Sequence, residues 1–157
     1  MSQQQDPAAQ ESNECHVKKP MTEREVSDPE ERHEFLYKHL NKVFIFGETF
    51  VYSWMDKYAS SYKGGFWDFI SVSNDAFYMK PEKGYRVELP NYFSDELTAR
   101  ECGIVVTLYM LSDMAARTYN GECYAMSDFL SKKYHKLRDY VCQLPVQEQN
   151  KIFAAID

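Results

Sequence analysis

Two aromatic runs separated by a short polar turn occupy the middle of this chain. Phe66-Trp67-Asp68-Phe69 and Phe77-Tyr78-Met79 flank Ser73-Asn74-Asp75-Ala76, with Gly64-Gly65 just ahead of them. Ring-rich segments on either side of a polar turn are a β-hairpin pattern. A hairpin alone is at best marginally stable in water, so these rings need other elements to cover them. Pro81-Glu82-Lys83-Gly84 is a second turn, with proline early and glycine late. Beyond it Tyr85, Val87 and Leu89 alternate with Arg86 and Glu88, the pattern of a half-buried strand. Residues 66–72, 76–80 and 85–89 are therefore expected to form a three-stranded antiparallel meander.

The covering elements are helical. Val51, Trp54, Met55 and Tyr58 recur on one helix face, giving a helix near residues 48–61 that Gly64-Gly65 would end. Ser94, followed by Asp95 and Glu96, is suited to cap the longest helix, on which Ile104, Leu108, Leu111 and Ala115 share a face. Gly103 lies inside that helix, where glycine costs about 0.8–1 kcal/mol relative to alanine, and it reads as a point of close approach to the sheet. After a loop near residues 118–122, Ser127 is placed to cap a helix striped by Leu130, Tyr134, Leu137 and Val141. Pro145 starts a last short helix with Ile152, Phe153 and Ile156 as its anchors. Between Glu31 and Phe44 the apolar residues Phe35, Leu36, Leu40 and Val43 fit helical and extended spacing alike. The class is α+β: a single domain with a small antiparallel β-meander of about three strands packed against several α-helices.

A chain of 157 residues with 44% apolar content can fill one core without a metal or disulfide staple. No apolar run approaches the roughly 18 residues that cross a bilayer, and Met1-Ser2-Gln3-Gln4-Gln5-Asp6 lacks the basic start and apolar centre of a signal peptide. A cytoplasmic protein that does not engage membranes is expected. Residues 1–30 are polar, with no apolar period, and read as a disordered or loosely attached arm on a domain spanning 31–157. Removing residues 1–28 should then leave the melting temperature nearly unchanged. Cys15, Cys102, Cys123 and Cys142 form no C-x-x-C pair, are most simply reduced thiols, and lack the spacing of a structural metal site.

Charge separates two classes of DNA-related function. Of the 24 acids and 18 bases, nine acids and four bases fall in residues 1–34, leaving 15 and 14 for residues 35–157. A DNA mimic needs carboxylates at about one charge per 1.7 Å of duplex axis, and a DNA binder needs a basic surplus. The near-neutral body has neither, so tight duplex binding is not expected. Lys132, Lys133, Lys136 and Arg138 cluster on one helix, more simply a solvated face than a nucleic-acid site.

No nucleophile elbow, P-loop, zinc-protease helix or nuclease acid pair is present. The polar candidates are Glu48, Asp68, Asn74, Glu96, Glu101, His135 and Asp139. Asp68 should point away from Trp67 and Phe69, Asn74 should stabilise its turn, and His135 reads as a partly buried histidine satisfied by a neighbour. An enzyme site, if one exists, would use Glu48, Asp68 and His135. The aromatic set Trp54, Tyr58, Phe66, Trp67, Phe69, Phe77 and Tyr78 reads as core for about half its members and, for those facing outward, as a modest protein-binding patch.

The ordered blocks Gly47-Glu48, Val51-Tyr52-Ser53-Trp54-Met55, the hairpin, Ser94 through Leu108, Tyr134 with Leu137-Arg138-Asp139-Tyr140, and Ile152 through Asp157 together resemble the KlcA/ArdB family of antirestriction proteins, from about Phe35 onward. The resemblance implies a protein of mobile genetic elements that relieves type I restriction-modification of incoming DNA. It carries no cofactor and no catalytic residue, and its partner would be the type I machinery, directly or indirectly. Action through protein contacts by a monomer follows from that reading, with Trp67, Asp68, Asn74, Tyr78 and Asp157 as interaction candidates. Asp157 is of interest because an acid at the end of a helix opposes the helix dipole. One departure stands out: Ser73-Asn74-Asp75-Ala76 replaces the Ser-Asn-Gly-Gly turn of relatives, and Asp tolerates the positive φ such a tip requires.

Overall fold

A computed structural model describes residues 19–157. In chain order it holds strand β1 (Glu23–Glu25), helix α1 (Pro29–Leu40), a 3-10 turn (Asn41–Val43), helix α2 (Phe44–Tyr58), strands β2 (Trp67–Val72), β3 (Phe77–Pro81), β4 (Tyr85–Glu88) and β5 (Ser94–Leu97), and helices α3 (Ala99–Asn120), α4 (Tyr124–Val141) and α5 (Val146–Ile156). The strands form two antiparallel sheets, β1-β2-β3 and β4-β5. The α+β class is as expected, with α3 at its centre, packed against β3, α2, α4 and α5. Every residue of α3 from Glu101 to Leu108 is buried, so this helix is apolar nearly all round where the chain wraps it.

Helix α3 also decides the strand order. Its Gly103 meets the β3 backbone: a Cβ there would lie 2.3 Å from Met79 O and 3.0 Å from Lys80 Cα. One turn on, Thr107 Oγ1 accepts from Met79 N at 3.1 Å. The outer edge of β3 is thus covered by a helix, which leaves no ladder for a further strand. Residues 85–88 accordingly do not extend the hairpin as expected but pair with Ser94–Leu97, in the register Tyr85↔Leu97 to Glu88↔Ser94. Ser94 therefore begins a strand rather than capping a helix. The cap of α3 is Thr98, in a reciprocal capping box with Glu101.

The third strand of the larger sheet comes from the expected N-terminal arm. Glu23–Glu25 pairs antiparallel with Ile70–Val72, and Val26 behind it is fully buried. Met21 N donates to Gln143 Oε1 at 2.6 Å. Structured chain therefore starts well before Glu31, and the reading of residues 1–18 lies outside the described residues. Asp28 caps α1 through Glu31 N, and α1 buries Phe35, Leu36, His39 and Leu40, which resolves the ambiguous segment as helix. Helix α2 ends at Tyr58, six residues before Gly64, because Ala59 bridges to Val87 and turns the chain into the smaller sheet. Cys102 is a buried free thiol, pushed up to about 12 by desolvation, and Cys123 an exposed one. Cys142 is disulfide-bonded, against the expectation of a reduced thiol.

Candidate functional site

The tip of the β2–β3 hairpin is tied down. Asn74 Oδ1 accepts from Ala76 N at 3.1 Å, the local turn bond that asparagine favours, and Asp75 takes φ +70°. Asn74 Nδ2 then donates to Lys136 O on α4 at 2.8 Å. Lys133 of α4 has a side chain only 5% exposed, yet its ammonium finds three acceptors: Asp75 O at 2.9 Å, Asp75 Oδ2 at 3.0 Å and His39 Nδ1 at 3.0 Å. An ammonium has three donors, so this buried charge is fully satisfied. Lys136 Nζ adds a longer contact to Asp75 Oδ2 at 3.4 Å.

Each group in the cluster is shifted by its neighbours. Burial lowers the Lys133 pKa, and the Asp75 hydrogen bond and charge restore part of it. Burial alone would raise Asp75, but the Lys133 hydrogen bond and the charges of Lys133 and Lys136 hold it below the usual carboxylate range. His39 is driven down to about 3 by burial and then by the Lys133 charge. It is therefore neutral, stacked 4.6 Å from the Phe77 ring, with its proton assigned to Nε2 because Nδ1 faces an ammonium. That Nε2 is buried without a partner among the described residues. Neither nitrogen is available to a substrate, so the cluster pins the hairpin to α4 and α1 rather than offering a general base.

The other expected site residues scatter. Trp67 and Tyr78 are core residues, not surface contacts: Trp67 is 5% exposed and its Nε1 donates to the Tyr62 hydroxyl at 3.1 Å. Tyr78 is wholly buried, its hydroxyl donating to Glu23 Oε2 at 2.6 Å, where the Tyr140 hydroxyl also donates at 2.6 Å. Burial and the Glu23 hydrogen bond push both phenols well above their ordinary range. Trp67 and Tyr78 were misplaced because distant elements cover the hairpin: Tyr52 of α2 and Tyr62 pack on Trp67, while α3 and α4 pack on β3 and Glu23 of β1 takes the Tyr78 hydroxyl. Asp68 is half-buried on β2, in register with Lys80 of β3. Asp157 is exposed at the end of α5. Its carbonyl accepts from Asn91 Nδ2 at 3.2 Å, and the Ala155 carbonyl accepts from Asn91 Nδ2 at 3.0 Å and from the Tyr109 hydroxyl at 2.6 Å. These donors satisfy carbonyls that the last turn of a helix leaves without intrahelical partners.

Glu48, Asp68 and His135 lie on α2, β2 and α4. His135 is exposed, not partly buried, edge-on to Tyr134 at 5.5 Å, in a groove between α3 and α4 that neither Glu48 nor Asp68 lines. Among the described residues no group of three His, Cys, Asp or Glu side chains could hold a metal ion, and no helix is long and apolar enough to cross a membrane. The basic residues of α4 are all engaged: Lys132 with Asp128 at 2.9 Å, Lys133 and Lys136 with Asp75, and Arg138 over the Phe153 ring at 5.3 Å.

Glu23 and His39 are organising residues that sequence reading passed over, and Lys133, expected on a solvated face, is instead buried. Lys133 was readable in part, since it falls within the Leu130–Leu137 stripe that faces the core. Glu23 had no local signal, because its partners lie 55 and 117 residues away.

Residues 60–157 match the family model described as antirestriction protein. An antirestriction protein KlcA of Escherichia coli is 37% identical over 114 residues, covering 71% of this chain and 75% of that protein. A second KlcA of Escherichia coli is 33% identical over 119 residues, covering 74% and 80%. A solved structure superposes with a TM-score of 0.76 at 32% identity, over 90% of this chain and 98% of its own. It belongs to work on KlcA and ArdB proteins, described as having a novel fold and antirestriction activity against type I DNA restriction systems in vivo but not in vitro.

Proposed function

The chain belongs to the KlcA/ArdB family of antirestriction proteins, and we propose that it relieves type I restriction of incoming DNA without catalysis, through protein contacts. The observation that carries this reading is the likeness to the KlcA and ArdB structure over 90% of the chain. Activity of those proteins in vivo but not in vitro supports a route needing something in the cell beyond the purified restriction enzyme. The type I machinery is then met directly, or indirectly through another component.

Three features of this chain favour contact over chemistry or DNA mimicry. Glu48, Asp68 and His135 sit on three separate elements. The body from residue 35 is nearly neutral. On α4, Lys132 meets Asp128, Lys133 and Lys136 share Asp75, and Arg138 lies over the Phe153 ring. A cytoplasmic monomer without tight affinity for duplex DNA fits this role, with Asp68, Asn74 and Asp157 as the remaining contact candidates.

The test is the plating of unmodified phage on a host with an active type I system, with and without the protein. Relief of restriction is expected in the cell and not with the purified restriction enzyme and DNA alone. Equal plating with and without a well-expressed, folded chain would overturn the reading.

A further inference from the structure

Three large apolar side chains stand exposed where α1 passes into α2: Tyr37 at 55%, Ile45 at 62% and Phe46 at 66%. The Tyr37 ring meets Phe44 edge-on at 5.7 Å, so the apolar surface of the two helices is continuous at this corner. Contiguous apolar surface left in water on a folded domain marks a contact site, whereas single exposed residues need no explanation. The corner opens into a groove of about 860 Å³ along α1, with Phe35, Tyr37 and Phe44 among its lining.

This groove is acidic. Four carboxylates line it, those of Asp28, Glu30, Glu31 and Glu34, against one lysine, Lys38, and one histidine, His33. Two of the four are occupied within the fold: Asp28 caps α1, and Glu31 pairs with Arg24 at 2.6 Å. Glu30 and Glu34 are exposed and have no ion-pair partner among the described residues. A first-turn acid also suits the helix dipole, which gives Glu30 a local use, but Glu34 lies a turn further in and beyond that effect. Glu30, Glu34 and Tyr37 fall at i, i+4 and i+7, so one stripe of α1 runs from two free carboxylates to the apolar corner.

We propose that the α1–α2 corner docks a segment of a partner protein in which basic side chains stand next to apolar ones. The bases pair with Glu30 and Glu34, and the apolar residues cover Tyr37, Ile45 and Phe46. Other occupants lack the charge. Nucleic acid and anionic lipid would bring phosphates to a negative groove. Residues 1–18 hold three acids, one lysine and no aromatic residue, and the whole chain carries a net charge of −6, so neither that segment nor a second copy supplies a basic surplus. The inference rests on this surface and not on the antirestriction reading, since peptide binding by the purified chain and phage plating can fail separately.

The test titrates the full chain into a fluorescently labelled, capped peptide, Lys-Leu-Leu-Lys-Lys-Leu-Leu-Lys-Lys, and follows anisotropy. Two control peptides separate charge from apolar contact: one has Glu for every Lys, the other Ser for every Leu. Saturable binding of the first peptide alone is expected. Glu30→Gln with Glu34→Gln should weaken it about five- to tenfold, the scale of two exposed ion pairs. Ile45→Ser with Phe46→Ser should weaken it by about tenfold or more. Glu88→Gln with Glu122→Gln removes the same charge at exposed positions elsewhere and should leave binding unchanged. Every substituted residue is exposed, so the fold is expected to survive each change. No saturable binding, equal binding of either control peptide, or binding that ignores both corner variants would overturn the proposal. Self-association lost in the Ile45→Ser, Phe46→Ser variant would assign the corner to a second copy of the chain, and binding of duplex oligonucleotide or anionic vesicles lost in that variant would assign it to phosphate; each rejects the basic segment.

Discussion

Glu23 Oε2 and the Tyr78 hydroxyl lie 2.6 Å apart, which joins the first strand of the described residues to the centre of the core. The same oxygen takes the Tyr140 hydroxyl of α4, so one carboxylate holds two buried phenols from different layers. Glu23→Ala would strand both hydroxyls. At about 1–3 kcal/mol for an unsatisfied buried group, a loss of about 2–4 kcal/mol is expected in urea unfolding. Deleting residues 1–28, which the composition alone marked as harmless, should cost more than about 2 kcal/mol, because it also removes fully buried Val26. An unchanged melting temperature in the deletion would show that β1 adds nothing to the fold.

Gly103→Ala tests the contact between α3 and the sheet. Helix propensity alone predicts a gain of about 0.8–1 kcal/mol. The added methyl would sit 2.3 Å from Met79 O, a backbone atom that cannot swing aside. Overpacking costs about 1–3 kcal/mol and occasionally more, so net destabilisation is expected, read as a lower melting temperature. A more stable variant would mean that α3 and β3 are farther apart.

His39 makes stability depend on pH in a defined window. Its folded pKa, about 3, lies below the ordinary value of 6.5, so between those values the unfolded chain binds a proton that the folded chain does not. Stability is full above pH 6.5 and falls with acidification, approaching a slope of about 1.4 kcal/mol per pH unit from this group until pH nears 3. Asp75, also depressed, adds its own loss as pH falls through its folded pKa. His39→Gln keeps an acceptor for Lys133 but cannot titrate. Its pH–stability curve should lose about one proton of slope between pH 6 and 4; an identical curve would show that His39 is protonated when folded.

At the end of the chain, Ile152→Ala should cost about 2–5 kcal/mol, because Ile152 is fully buried, and Phe153→Ala should cost less, because Phe153 is only partly covered and lies under Arg138. Asp157→Ala should change stability by no more than about 0.5 kcal/mol, since Asn91 holds its backbone carbonyl and the residue is exposed. Phage plating with this folded variant then decides whether the carboxylate acts: undiminished relief removes Asp157 from the contact candidates.

Local chemistry was legible in the order of residues. The stripe of α2, the β2–β3 hairpin with Asn74 in its turn, the stripe of α4 and the close approach at Gly103 all follow from period, turn residues and the cost of glycine, none of which depends on distant chain. The α3 start was legible too, but at Thr98 and Glu101 rather than Ser94, because the reciprocal capping box satisfies two helix-end donors. Pairing was decided only by the tertiary structure. Strand edges are alike in their hydrogen-bonding groups, so what joins an edge depends on what reaches it first in space. Gly103 and Thr107 bring α3 onto β3, sending residues 85–88 to β5, while Glu23–Glu25 takes the free edge of β2. The same long-range packing buried Trp67 and Tyr78 and made Lys133 an internal cation. Burial and partnership are properties of surfaces that meet across the fold, and no spacing along the chain encodes which surfaces those are.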